Sequence, residues 1–337
     1  MNPTLHPRLL NGRGGDPAVY VEAMHAAGAV LFDAGDLSAL HPRHLLKVEA
    51  LCVSHAHMDH WADVDRLVRL LVGREKTLQV FGPPGFAARL HHRLASYTWN
   101  LVDRIAPRLA FEVTEVPAEG PCPRTRLVLQ SGFAPEPMAS LPHDAEGVVA
   151  RLGALRLRAA LLDHGTPSLG FALEEAAHLN VWRTRLEARG LPTGPWLGAL
   201  KGAVLRGLPD DHVLPVRARA GDPGEPRRLG ELRDLVVVTP GQRVAYLTDF
   251  ADTPANRAAA AGLAGGADTL FIEAPFLAGD AAAAAERMHL TTRAAGEIAR
   301  AAGVRRLEPF HMSPRYQGRE AEWLAEVEAA FGRPLSP

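Results

Sequence analysis

The sequence predicts an α/β fold (α+β by some schemes), with mixed sheets covered by helices and one inserted arm. Three observations predict it. Strand-like and helix-like stretches alternate along most of the 337 residues. An apolar content of 47% with 22% charged residues is that of a soluble globular protein able to bury a large core. Between about residues 178 and 230 the alternation stops and Pro and Gly accumulate, which reads as a protrusion rather than a second core.

Taken in order, "AGAVLFDAGD" is a strand ending at Asp33, with Gly35 in the following turn, and "VEALCVSH" is a second apolar strand. From Asp59 onward, Trp61, Val64, Leu67, Val68 and Leu71 recur at helical spacing until Gly73 stops the helix. "LQVFGPPGFAARLHHRLASY" supplies a strand, a Gly-Pro turn and a helix. "FEVTEV", "RTRLVLQ", "ALRLRAALLDHG" and "SLGFALEE" make the middle β-rich. Beyond the arm, "LVVVTPGQRVAYLTDF" gives two strands around a turn, "TPANRAAAAGLAGG" a helix and "ADTLFIEA" a strand. "TTRAAGEIARAAG" is a helix capped by Thr291 or Thr292, "RRLEPFH" a strand, and "GREAEWLAEVEAAFG" a closing amphipathic helix. No internal repeat of solenoid period is present.

Composition excludes several classes. A net charge of −1 gives no bulk attraction to nucleic acid, so such a partner needs a local basic patch. The N-terminus lacks an apolar signal core and no apolar run approaches 18 residues, so neither a secretion signal nor a membrane span is expected. Two cysteines cannot build a disulfide framework, which points to a reduced, cytoplasmic setting.

The chemistry is concentrated in "SHAHMDH", residues 54–60, which packs three histidines and an aspartate into seven positions. His55 and His57 are two apart at a strand end, so extended backbone sends both to one side. Asp59 and His60 follow as the chain turns into a helix, displaced towards a second centre. Imidazole plus carboxylate is the donor set of zinc and related divalent ions, and a structural zinc would recruit Cys, absent here. Two such ions about 3.5–4 Å apart can clamp both the attacking and the leaving oxygen. Three further candidates end strand-like segments: His164, Asp249 and His311. A carboxylate can bridge two ions; Asp249, which directly terminates its strand, is favoured over Asp252. Asp33 is read as a hydrogen-bonding support for the ligand loop. His41, His44, His91, His92, His143, His178 and His212 have no spacing that links them to the cluster.

With "HAHMDH" followed by His, Asp and His at strand ends, the chain resembles the metallo-β-lactamase fold, and within it the ribonuclease Z family of tRNA 3′-end endonucleases. "FGPPGF", "HGTPSLGF", "GLPTGPWLGALKG" and "HLTTRAAGEIARAAGVRRLEPFHMSPRY" carry the likeness, over about residues 29–316. The resemblance implies a four-layered αβ/βα sandwich, a single domain over 1–337. It implies that His55, His57 and His164 hold one ion, Asp59, His60 and His311 the other, with Asp249 between them. Zinc is the usual metal, manganese or iron the alternatives, and Asp59 doubles as general base in metal-hydroxide attack. His289, before a helix whose first turn offers Thr hydroxyls and N–H groups to a phosphate, takes the role of proton donor to the departing 3′ oxygen. Glu273 is placed to orient His289, and Arg315 to steady a phosphate.

Residues 178–208 resemble the arm with which that family grips tRNA, with Gly194-Pro195 at its Gly-Pro turn and Lys201 among five basic residues against one acidic between Val181 and Gly207. The competing reading of that arm is an amphipathic helix with a solvated Arg face. Departures from the family pattern fall in "HPRLLNGRGGDPAVYV", where no Lys or Arg precedes an Asn, at Thr248 in place of the usual Gly, and across residues 97–150. The implied partners are precursor tRNA and a second copy of the chain in a homodimer. Two other functions keep the residues but change the job: hydrolysis of a small phosphodiester, aryl sulfate or other ester, and a non-catalytic RNA- or protein-binding relative.

Overall fold

The computed structural model describes residues 4–24, 28–142 and 146–335; His143 lies outside them. It contains two compact units, Met1–Glu174 with Gln242–Pro337, and Glu175–Gly241. In the first unit, β1 (Leu5–Leu9), β2 (Val19–Ala23), β3 (Ala29–Phe32), β4 (Val48–Cys52), β5 (Lys76–Gly82), β6 (Leu109–Glu115), β7 (Cys122–Val128) and β8 (Pro135–Leu141) follow one another in an eight-stranded sheet. β3 to β6 run parallel, the crossovers being the helical segments between them. β1, β2 and β8 were not expected. Their sequences, LHPRL, VYVEA and PEPMASL, are short or interrupted by Pro, which is tolerated only where a strand lies at a sheet edge.

β9 (Val148–Leu152), β10 (Leu155–Asp163) and β11 (Pro167–Glu175) begin the second sheet. Inside Glu175–Gly241 lie β12 (His178–Val181), β13 (Val213–Val216), β14 (Glu225–Arg228) and β15 (Val236–Thr239), paired β12 with β15 and β13 with β14. β16 (Arg243–Leu247), β17 (Thr269–Glu273) and β18 (Arg306–Phe310) then complete the second sheet in the order β18-β17-β16-β11-β10-β9.

Strand alternation sorts the core into three apolar layers and so produces four layers of backbone. Val21, Phe32, Ala50, Cys52 and Phe81 of the first sheet face Leu157, Phe171, Leu173, Tyr246, Phe271 and Phe310 of the second. The alternate residues Leu31, Leu51, Val80 and Phe111 pack on the helices Val64–Leu71 and Phe86–Ala95. On the far side Ala245, Leu247, Leu270, Ile272 and Leu307 meet the helices Pro254–Ala264, Thr292–Ala301 and Glu320–Phe331.

Two local expectations are corrected. The helix read as continuous from Asp59 is two pieces, Met58–Trp61 and Val64–Leu71. Arg93 holds the joint open: its guanidinium donates to the Trp61 carbonyl at 2.7 Å and pairs with Asp65 at 2.8 Å. Asp63 is drawn away to accept the Leu37 amide at 2.8 Å. The arm is also more than a protrusion. Leu186, Trp196, Leu200, Leu214, Leu229 and Leu235 form an apolar cluster of their own, with the helices Arg183–Ala188 and Trp196–Leu205. Short elements broken by Pro and Gly gave no periodic signal long enough to show it.

Candidate metal centre

Strand ends deliver the site. Asp33 follows β3, His55 to His60 follow β4, His164 follows β10, Asp249 follows β16, Glu273 ends β17 and His311 follows β18. Ligand atoms of His55, His57, His164 and Asp249 fall within 4.8 Å of one another, as do those of Asp59, His60 and His311. Asp249 is the hub. Its Oδ2 lies 3.3 Å from His60 Nε2, 3.6 Å from His164 Nε2 and 3.7 Å from His55 Nε2, and its Oδ1 lies 3.0 Å from His311 Nδ1. Asp59 Oδ2 stands 3.4 Å from both His60 Nε2 and His311 Nε2. Asp252 is elsewhere, with both carboxylate oxygens on the Arg257 guanidinium. Thr248, where the family pattern has Gly, donates its hydroxyl to Asp249 Oδ1 at 2.8 Å and so helps orient the hub.

The donors are aimed by a second layer of hydrogen bonds. Asp33, fully buried, takes the Ser54 amide and hydroxyl at 2.7 Å each, the Tyr246 hydroxyl at 2.7 Å and His60 Nδ1 at 2.8 Å. That last bond places a proton on His60 Nδ1, so that in the neutral, metal-binding form of the ring Nε2 carries the lone pair facing Asp59 and Asp249. His164 Nδ1 is held likewise by the Met288 carbonyl at 2.8 Å. Asp33, Asp249, Met288 and His311 all adopt left-handed backbone, at φ 54°, 45°, 59° and 62°. Non-glycine residues enter that region at a cost of about 1–2 kcal/mol each, so the surrounding packing must enforce it.

Electrostatics ask for cations here. His55 Nε2, His60 Nε2 and His311 Nδ1 are buried with no well-aligned hydrogen bond, His60 and His311 meeting Asp59 and Asp249 oxygens there, a costly state for a polar atom and an apt one for a metal donor. Burial, then the neighbouring His60, pushes His55 down to about 2, so its lone pair stays free. Burial pushes Asp249 up, but His311 and His60 outweigh it and hold the carboxyl well below its ordinary range. Burial likewise opposes charge on His60, which Asp249 and Asp33 override to hold it well above the usual imidazole value. Divalent metal bound here would supply the positive charge that this carboxylate-rich cavity otherwise obtains from protons.

Beside this cluster, His289 Nδ1 contacts Glu273 Oε2 at 2.6 Å. Glu273 is fully buried and its Oε1 accepts the Phe250 amide at 2.8 Å. At the helix start after His289, several of the donors expected to be free are already engaged. Thr291 Oγ1 accepts from the Ala294 amide, the Thr292 hydroxyl donates to Glu326, and the Thr292 amide goes to the Phe276 carbonyl. Arg287, with no ion-pair partner among the described residues, is exposed on the wall of the groove that also contains Asp59, His289 and His311. Arg315 lies over the Phe276 ring at 5.1 Å. Arg287, Tyr246 and the Met288 carbonyl were missed in the sequence: Tyr246 sits in the apolar stretch "VAYL", and a carbonyl leaves no trace in a sequence.

Within Glu175–Gly241, Gly194 is wedged against the Arg217 carbonyl, where any Cβ would overlap. Three of the arm's basic residues are already occupied. Arg183 pairs with Glu187 at 3.1 Å, Arg189 with Asp234, and Arg185 stacks at 3.8 Å on Trp182 while donating to the Asp234 carbonyl. Lys201 and Arg206 have no ion-pair partner among the described residues.

A family model described as a beta-lactamase superfamily domain matches residues 204–312. Ribonuclease Z of Deinococcus radiodurans is 34% identical over 326 residues, covering 94% of this chain and 91% of that protein. Ribonuclease Z of Kineococcus radiotolerans is 30% identical, over 90% and 79% of the two chains. Among solved structures, the short form of human tRNase Z superposes with a TM-score of 0.54 at 16% identity, covering 92% of this chain and 93% of that one. The metallo-beta-lactamase fold protein YhfI of Bacillus subtilis superposes with a TM-score of 0.55 at 14% identity, covering 97% and 93%. Two sheets meeting face to face, helices outside them and a His/Asp cluster at the strand ends agree with those likenesses, and the chain belongs to the ribonuclease Z family of the metallo-β-lactamase fold.

Proposed function

We propose that this protein is a dinuclear metal-dependent phosphodiesterase that cuts precursor tRNA at its 3′ side. The observation that carries the reading is His289, braced by buried Glu273, in the groove that also contains Asp59 and His311 of the metal centre. A thioester, whose thiolate leaves unaided, needs no such acid. An alkoxide leaving a phosphodiester does.

The donor set fits two divalent ions, zinc in our assignment with manganese or iron as alternatives, His55, His57 and His164 holding one, Asp59, His60 and His311 the other, and Asp249 reaching both. Such ions supply Lewis acidity and lower the pKa of water. The protein supplies the rest. Asp59, partly open to solvent, accepts the proton of the attacking water, and His289 donates one to the leaving 3′ oxygen. Arg287 and His289 neutralise the phosphate in the groove, with Arg315 at its edge. The arm supports an RNA partner through Lys201, Arg206 and the Gly194-Pro195 turn. Free buried Cys52 and Cys122, and the lack among described residues of a helix able to cross a membrane, fit a cytoplasmic setting. A homodimer belongs to the same reading, and sedimentation tests it.

Metal-loaded protein incubated with a precursor tRNA should leave a single cut at the 3′ boundary with a 3′-hydroxyl on the upstream fragment. A small phosphodiester is the second reading, favoured by the internal engagement of Arg183, Arg185 and Arg189. Uncut tRNA beside rapid turnover of bis(4-nitrophenyl) phosphate would decide for it.

A further inference from the structure

We propose that Asp16 reads the sugar of the nucleotide in the groove beside the metal centre, accepting a hydrogen bond from the ribose 2′-hydroxyl and so selecting RNA over DNA. The inference rests on the phosphodiesterase reading above. The groove has a volume of about 260 Å³, and Gly15, Asp16, Phe276, Arg287, His289 and Met312 are among the residues that line it. Its charges are distinct in kind. Arg287 is a cation with no partner among the described residues, suited to a phosphate. Asp16 is an exposed carboxylate whose side chain makes no hydrogen bond or ion pair among the described residues.

A free carboxylate in the groove of an enzyme for polyanions repels phosphate. It becomes useful only opposite a neutral donor. The 2′-hydroxyl is the donor that RNA carries at each nucleotide and DNA lacks. The backbone that presents the carboxylate is held in place, which limits where it can reach. Asn11 Nδ2 donates to the Asp16 carbonyl at 2.7 Å and to the Asp36 carbonyl at 2.9 Å. The Leu10 amide closes the loop on the Ala18 carbonyl at 3.0 Å, and the Met312 amide ties the Arg13 carbonyl at 2.8 Å. Gly35 has no room for a Cβ between Asp16 and the Asp59 backbone, so the reading residue and the metal-centre loop pack through a glycine. The loop's cation is turned away from the groove, Arg13 pairing with Glu320 at 3.2 Å and Glu308 at 3.8 Å.

The test uses the metal-loaded enzyme and precursor tRNAs carrying 2′-deoxy or 2′-O-methyl sugar at one nucleotide flanking the cut. At one of the two positions the wild type should slow by roughly tenfold to a hundredfold, the worth of a hydrogen bond to a charged acceptor. Asp16→Ala should cut the ribo and deoxy forms at similar rates. Asp16→Asn, which keeps an acceptor oxygen, should retain part of the preference and covers any folding failure of the alanine variant. An Asp16→Ala enzyme with the wild-type ratio, or a wild type indifferent at both positions, overturns the inference alone. A wild type that leaves the all-ribose precursor uncut overturns the phosphodiesterase reading on RNA and the inference with it.

Discussion

Oε2 of Glu273 lies 2.6 Å from Nδ1 of His289, while the other oxygen of the same carboxylate is anchored by the Phe250 amide at 2.8 Å. Burial pushes the His289 imidazole down, but Glu273, by charge and hydrogen bond, and then Asp249 hold it above its ordinary value. Protonated His289 is the form able to donate, so turnover of RNA should fall as pH rises through that raised value. In Glu273→Gln the fall should begin at lower pH. Measuring kcat against pH for both proteins checks the sign, and coincident profiles would refute the brace.

His289→Ala should lower turnover of RNA by about 10²–10⁴-fold with metal content unchanged. On bis(4-nitrophenyl) phosphate, whose leaving group needs little protonation, the loss should be far smaller. Equal losses on both substrates would argue that His289 serves the phosphate rather than the leaving oxygen.

Asp33 touches no proposed substrate, yet Ser54, His60 and Tyr246 converge on it. Asp33→Ala should weaken metal binding about 10–100-fold, because the His60 tautomer is no longer imposed. Stability should drop as well, since each buried polar group left unpaired costs about 1–3 kcal/mol. Competition with a chelator and a thermal melt separate the two effects.

Asp249 and Asp252 stand three positions apart and should behave as opposites. Asp249→Ala removes the carboxylate that reaches His55, His60, His164 and His311, and should abolish metal binding and activity. Asp252→Ala breaks an exposed pair with Arg257 and should cost no more than about 1 kcal/mol, with metal content intact. Elemental analysis of the two purified variants decides.

In the arm, Trp196 is fully buried in the local apolar cluster. Trp196→Ala should cost that unit about 3–5 kcal/mol and open Glu175–Gly241 to protease. Gly194→Ala should act in the same direction because its Cβ meets the Arg217 carbonyl. Retained turnover of the activated diester by either variant, with loss of tRNA cleavage, would assign the arm to RNA binding.

The residues of the candidate metal centre stood out because donor chemistry is scarce: "HAHMDH" cannot be read as a core strand or as an ordinary surface. His164, Asp249, Glu273 and His311 were legible only through their position, each just past an apolar strand whose neighbours end at the same edge. Asp16 and Arg287 lie in loops with no periodicity, and nothing in their local sequence says that residues 271 apart share one groove. Thr291 and Thr292 misled for a related reason. Their composition fits an anion site, but Glu326, thirty-four residues on from Thr292, and the Phe276 carbonyl take the hydroxyl and amide of Thr292. The break at Ala62 and Asp63 was hidden because Arg93, which enforces it, belongs to another helix.

The left-handed backbone of Asp249 and His311 carries a consequence for anyone trying to toughen this enzyme. Glycine is the residue most at ease in those conformations. A library screened for heat tolerance alone would thus be drawn to glycine at the positions where the donors sit, and its winners would be hardened shells with empty hands.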